Sequence, residues 1–530
     1  MAPPATSPQR AWRAACPNCG APVEFASAAS ASAVCGYCRS TLLRDGEALS
    51  RIGVSAELFD DHSPLQLGAS GRWQGLDFTL VGRLQYRFDG GSWNEWHALF
   101  GNGRSGWLSE DNGAYVLAFD APLPAAAPAL DELAAGEQRL IADQSWSVAS
   151  VLRARLAAAQ GELPRPPALG EREFIVADLR NAQDEVATLD GADPARPAWA
   201  VGRAVRLDEL AMQGLREAVA KTLSGRALAC PSCGAALAPT LQTTQSIVCG
   251  QCMAVVDVSQ GVGAELAHHA QANAGHDGAM PRIPLGASGP LALGGPLRPW
   301  QVVGYVERCD IPAAGDDEET VYWREYLLYH RTDGFAFLVD AEDGWSWMRP
   351  LTGAPQAKGD RVQWQGRRYR AKYSYAARAS WVLGEFYWRL ALDDRAQVTD
   401  YIGEGKDSDR RLAREAVAGE VTWSEGAALK AQVVEAAFGL AAGRLAEARP
   451  TLGTLNAEAA GPLAKVALVV VVIALLFFMS WLESRDDCSA LRDTYGASSA
   501  EYRQCTASSG SSGRIGGGSW GGYSSGGGHK

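Results

Sequence analysis

Short stretches in which hydrophobic and polar side chains alternate recur along much of this chain, separated by Gly, Asn and Asp. A period of two is the signature of half-buried strands. It predicts strands over Phe78–Phe88, Trp93–Phe100, Tyr115–Phe119, Trp300–Glu307, Tyr322–His330, Phe335–Asp340 and Phe386–Leu392, with Asp89-Gly90-Gly91 and Thr332-Asp333-Gly334 as hairpin turns. Two segments break the pattern. Residues 427–448 have helix-favouring composition and predict a connecting helix. Val466–Leu482 is uncharged, bounded by Lys465 and Glu483, and carries Trp481 at its end; it predicts a short membrane-spanning helix. The remainder, 483–530, becomes Gly/Ser-rich and reads as a tail.

The strand pattern occurs twice in the same order. Leu67-Gly68-Ala69-Ser70-Gly71 returns as Leu285-Gly286-Ala287-Ser288-Gly289, and Phe78–Gly82 as Trp300–Gly304. Trp93-Asn94-Glu95-Trp96 returns as Trp323-Arg324-Glu325-Tyr326, and Gly161-Glu162 as Gly384-Glu385. The chain is therefore a duplication. It predicts two antiparallel β domains, curled sheets or open barrels, at residues 60–205 and 281–400. Copy one has an additional hairpin, Glu173–Leu179 then Glu185–Leu189, without a clear counterpart in copy two. The fold class expected is mainly β with small α content.

Cysteine spacing adds a second duplicated feature. Cys16-x2-Cys19 is followed after fifteen residues by Cys35-x2-Cys38, and Cys230-x2-Cys233 after fifteen by Cys249-x2-Cys252. Two tight turns, each aiming a pair of sulfurs at one point, make a tetrahedral thiolate site. The quartets predict zinc ribbons at residues 10–45 and 225–258, holding two structural zinc ions with no open coordination position. Gly20, Gly36, Gly234 and Gly250 sit where such turns require positive φ. Thiolate ligands imply a reducing compartment, which places the N-terminal region in the cytoplasm. Cys488 and Cys505 then lie beyond the membrane segment, where they can pair as a disulfide. Lys and Arg flank that segment equally, so charge does not orient it.

Charge and chemistry narrow the function. The chain of 530 residues carries a net charge of −11, and neither ribbon has a basic patch, which argues against nucleic acid as a partner. Glu110-Asp111 and Glu342-Asp343 lie beside Gly and read as solvated turns; His268-His269 reads as a loose surface pair, and Cys309 as a small buried hydrophobe. The seventeen Trp residues read mainly as core. No nucleophile, phosphate-binding or dinucleotide motif is present, so nothing commits to catalysis.

The Cys-Pro-x-Cys-Gly ribbons, the Leu-Gly-Ala-Ser-Gly motif, the Trp-x-Glu-Trp/Tyr strand and the Gly-Glu-Phe-Tyr-Trp strand together resemble a bacterial domain family of unknown function, family 4178, over about residues 10–440. The resemblance implies a two-copy protein of the bacterial inner membrane and no particular reaction. Three readings follow. The first is a non-enzymatic adaptor tethered to the cytoplasmic face of the membrane and binding protein partners. The second is a sensor or enzyme binding a small polyamine-like molecule, since acidic balance and aromatics suit a cation. The third, nucleic-acid binding through the ribbons, is disfavoured by charge.

Overall fold

The computed structural model describes residues 12–445, apart from short segments at 27–29, 46–47, 55–62, 89–90, 112–113, 125–126, 168–171, 194–195, 217–227, 241–243, 259–267, 272–280, 312–319 and 391–394. The segment 466–482 and Cys488 and Cys505 lie outside the described residues. Among the described residues no helix is long and apolar enough to cross a membrane.

Each predicted β domain is a closed eight-stranded barrel rather than a curled sheet or an open one. Barrel one comprises β1 (Leu76–Phe88), β2 (Gly91–Phe100), β3 (Ser105–Asp111), β4 (Ala114–Ala121), β5 (Gln144–Leu163), β6 (Phe174–Arg180), β7 (Glu185–Asp190) and β8 (Ala198–Val205). The strands pair in the ring order β1-β2-β3-β4-β8-β7-β6-β5-β1, all antiparallel. Barrel two repeats this ring with β9 (Arg298–Ile311), β10 (Tyr322–His330), β11 (Gly334–Ala341), β12 (Gly344–Leu351), β13 (Arg367–Phe386), β14 (Arg395–Gly403), β15 (Arg410–Val417) and β16 (Glu420–Leu429). Two four-stranded meanders thus close on each other, leaving no free edge in the ring.

Closure revises several expectations. Copy two does not end at residue 400, because β15 and β16 are needed to complete its ring. The hairpin β6–β7 is not peculiar to copy one; β14–β15 is its counterpart. The strand expected at Phe386–Leu392 begins where β13 ends. β5 and β13 each run for twenty residues, and their Ala and Arg content hides the alternation that marks shorter strands. Residues 427–429 belong to β16, and the only α-helix among the described residues is the short α1 (Ala431–Ala437).

The lumens are filled by side chains. In barrel two, residues from seven of the eight strands converge, among them Val306, Trp323, Phe337, Met348, Tyr375, Val398 and Ala413. In barrel one Leu84, Tyr86, Trp93, Leu156 and Val176 occupy the same space, with Val116, Val186 and Ala200 closing the far side. Eight strands leave a bore just wide enough for such filling. The outer faces are covered as well. The Leu-Gly-Ala-Ser-Gly segment of each copy lies over β1–β4 or β9–β12, beneath Leu207 and Leu210 in one case and Val434 and Leu445 in the other.

The Trp-x-Glu repeat places a carboxylate inside each barrel. Trp323 donates its indole N–H to Glu325 at 2.8 Å, and Trp93 does so to Glu95 at 3.5 Å. In barrel two Arg308 is 1% exposed; its guanidinium lies 2.9 Å from Glu415 and 3.6 Å from Glu325. The register places Tyr86 where Arg308 stands. Burial, followed by the charges of Glu95 and Asp190, pushes the Tyr86 phenol well above its ordinary value. The two copies therefore keep the acids and differ in the residue beside them, a paired guanidinium in copy two and a buried phenol in copy one. Burial raises the Glu325 carboxyl to about 7 against the opposing pull of Arg308. A carboxyl raised on folding stabilises the fold fully only below its unfolded value of 4.5, and that contribution is lost as pH rises through about 7. Glu325→Gln should flatten stability between those limits and leave the protein no less stable above pH 7, as read by urea unfolding across pH. Arg308→Met leaves two buried carboxylates without a counter-charge and should cost about 3–5 kcal/mol in the same experiment.

Candidate metal centres

Each quartet is built from two tight knuckles, each closed by a backbone hydrogen bond from the residue after the second cysteine back to the first. In the first, the amide of Gly20 donates to Cys16 O at 2.8 Å and Cys16 N donates to Ala21 O at 2.8 Å; Gly234, Cys230 and Ala235 repeat this geometry. In the second, Arg39 N donates to Cys35 O at 3.0 Å and Met253 N to Cys249 O at 2.9 Å. Positive φ is required at Gly20 and Gly234 as expected, at 75° and 76°. In the second knuckle it falls on Arg39 and Met253, at 55° and 58°, and not on Gly36 or Gly250. The turn there closes one residue after the second cysteine, so the glycine between the cysteines is not the strained position.

The four sulfurs of each quartet converge. Cys16–Cys38 and Cys19–Cys35 are 3.6 and 3.7 Å apart; Cys230–Cys252 and Cys233–Cys249 are both 3.7 Å apart. All four ligand atoms of each set lie within 4.8 Å of one another. A tetrahedron with bonds of about 2.3 Å has edges of about 3.8 Å, so both sets have the dimensions of a four-thiolate metal site. Each can hold a metal ion, and all nine cysteines among the described residues are free thiols. Hydrogen bonds prepare some of the thiolates. The Asn18 side chain and then the Ser40 hydroxyl lower Cys38 to about 5, and the Ala254 amide lowers Cys252 to about 6. The Ala21 amide also favours the Cys19 thiolate, but shared hydrogen bonding with Cys38 and burial outweigh it and push Cys19 up to about 12. A cation displaces that last proton on binding.

The ribbons are bound to the barrels by the repeated Gly-Glu dipeptide. The ribbon strand Ser32–Val34 pairs antiparallel with the end of β5, aligning Ala33 with Glu162; Ser246–Val248 pairs with the end of β13, aligning Ile247 with Glu385. Glu162 accepts the Ala26 amide at 2.6 Å. Glu385 accepts the Thr240 amide and hydroxyl at 2.8 and 2.6 Å with one oxygen and the Thr244 hydroxyl at 2.6 Å with the other. Gly161 and Gly384 have φ of 72° and 89°, and a Cβ on either would stand 2.3 Å from a carbonyl of the facing strand. Only glycine allows the long strand to pass that close to its neighbour while swinging into the ribbon. The repeat was visible in sequence, whereas the clamp was not, since its donors sit more than a hundred residues away. His268-His269 is likewise no loose pair: it forms a third strand against Val255 and Val256 of the second ribbon.

The other candidate groups are structural. Glu110 is buried on β3, not solvated in a turn; it accepts the Trp96 indole N–H at 3.0 Å and hydrogen-bonds to Ser63. Its register partner in copy two is Asp340, which pairs with Arg324 at 3.2 Å and Arg282 at 3.4 Å. Cys309 is fully buried on β9. His97, in the wall of barrel one, lies 2.9 Å from both Glu162 O and the Ser105 hydroxyl, and burial lowers its imidazole below the ordinary range. Among the described residues, aromatic and acidic groups therefore meet one another inside the protein.

If the quartets hold metal as their geometry allows, elemental analysis of the full chain should return two ions per chain, and the paired substitution Cys16→Ser and Cys19→Ser should return one. Glu385→Gln should keep the second ion yet expose the amides of Thr240 and its neighbours to faster hydrogen exchange.

No curated protein and no solved structure matches the chain. The profile described as domain of unknown function (DUF4178) matches residues 66–207 and 296–431, one match on each barrel. These matches span more than half of the sequence, and the chain belongs to the DUF4178 family as a two-copy member.

Proposed function

We propose that this protein is a non-enzymatic, membrane-anchored adaptor in which two structural zinc ions hold ribbons that present surfaces to protein partners. The observation that carries this reading is that the chemistry-bearing groups are committed internally. Both quartets are closed four-sulfur sets, and a site that reacts needs an open position. Lumen acids are engaged within the same barrel, Glu95 by Trp93, Glu325 by Trp323 and Arg308, and Glu415 by Arg308. What faces outward at the tip of the first ribbon is Tyr37, between two ligand cysteines and 77% exposed. Tyrosine combines a large apolar face with a hydroxyl and is enriched where proteins bind each other. The second ribbon offers Met253 at the same turn. Zinc is the ion that suits four thiolates in a tetrahedron of this edge length.

In this reading the uncharged segment 466–482 is the anchor, the ribbons and barrels are cytoplasmic where thiolates persist, and the tail with Cys488 and Cys505 lies on the far side. Crosslinked pull-down of the full-length protein from its native membrane should recover a discrete partner. That partner should be lost in the Cys16→Ser, Cys19→Ser variant and weakened by Tyr37→Ala; eluates identical between parent and variants count against the adaptor. Labelling of Cys505 in intact cells by a membrane-impermeant maleimide after reduction should succeed, and labelling only after lysis would reverse the orientation.

A further inference from the structure

The two barrels touch, and the contact forms a cleft whose charge is opposite to that of the chain as a whole. Val151 N donates to Gly419 O at 3.1 Å, and Arg180 donates to Leu351 O at 3.3 Å, so β5 and the end of β6 in barrel one meet the β15–β16 turn and the end of β12 in barrel two. Between them lies a cleft of about 520 Å³. That volume is in the range of small-molecule sites, which often form at domain junctions. Four cations line it: Arg180 from barrel one, and Lys358, Arg361 and Arg368 from barrel two. The rest of the lining is uncharged and includes Ser145 and Gln363, and no Asp or Glu is among the described lining residues.

The cations differ in role. Arg180 is buried at 7% exposure and is held in place by the carbonyl across the junction. The other three are exposed. Glu404 at the rim lies 3.3 Å from Arg361 and 3.8 Å from Arg368, so one carboxylate answers two guanidinium groups. Asp184 stands beside Gly353, next to the wall of the cleft. A positive excess remains within a chain of net charge −11, so the cleft is a local concentration of charge and not part of a basic surface. Guanidinium forks suit planar or tetrahedral oxyanions, which they bind through paired charge-assisted hydrogen bonds.

We infer that the cleft between the barrels binds a small molecule carrying two or more closely spaced phosphoryl or carboxylate groups. The site needs both copies, since the buried arginine comes from one and the three exposed cations from the other. It also has the wrong sign for a polyamine. The inference is independent of the adaptor reading and of the zinc sites.

The test is calorimetric titration of the full-length, metal-loaded protein with three probes: inorganic pyrophosphate, citrate and spermine. Pyrophosphate or citrate should bind once per chain and weaken with added salt, the better of the two identifying the oxyanion. The paired variant Arg361→Gln, Arg368→Gln removes two exposed cations and should weaken that binding by at least about tenfold, the loss of one charged hydrogen bond. Glu404→Gln frees both guanidinium groups and should tighten it, an effect that a merely structural role of these residues does not produce. Absence of binding by both anions, binding of spermine alone, or anion affinities unchanged in both variants would overturn the assignment.

Discussion

The architecture depends on one long strand doing two jobs in each copy. β5 and β13 close their barrels by pairing with β1 and β9, then continue to receive the edge strand of a ribbon. At the transition the backbones come so close that glycine faces glycine: Gly82 opposite Gly161, and Gly304 opposite Gly384. The carboxylate that follows immediately takes the ribbon's amides. A small four-cysteine unit with little core of its own is thereby welded to a barrel with a full one.

Duplication gave two scaffolds with the same ring order and left them free to diverge at charged positions. The lumen acids recur as Glu95 with Asp190 and Glu325 with Glu415, yet copy two sets the Arg308 guanidinium against them where copy one has the buried phenol of Tyr86. A buried arginine offsets the charge of buried acids, whereas a buried phenol stays neutral beside them. The junction between copies shows a further divergence. Arg180 lies at the end of β6, and the register places Ile402 at the matching point of β14. The cleft is therefore a property of the pair and not of either barrel alone.

Much of this was legible along the chain. The convergent cysteine quartets followed from spacing, because two residues between cysteines set the turn and the turn sets the sulfurs. The duplication and the short strands β1, β2, β10 and β11 followed from alternation. The longest strands were missed, since a strand whose outward face is Arg and Ala and whose inward face meets a packed lumen carries a weak period-two signal. Of the acidic pairs, Glu342-Asp343 does lie in an exposed turn, whereas Glu110 misled: it resembles a turn residue by its neighbours, and only its partner strands show that it is buried.

The sequence by itself determined the local chemistry: thiol quartets, tight turns, strand periodicity and the order of the repeat, all of which act within a few residues. Tertiary structure alone decided that the sheets close, that copy two runs to Leu429, that Gly-Glu is a clamp, and that four cations from two copies line one cleft. Those outcomes join residues far apart in the chain, and for the clamp and the cleft more than a hundred positions apart. Their physical origin is ring closure and backbone approach, and neither leaves a periodic mark on the chain.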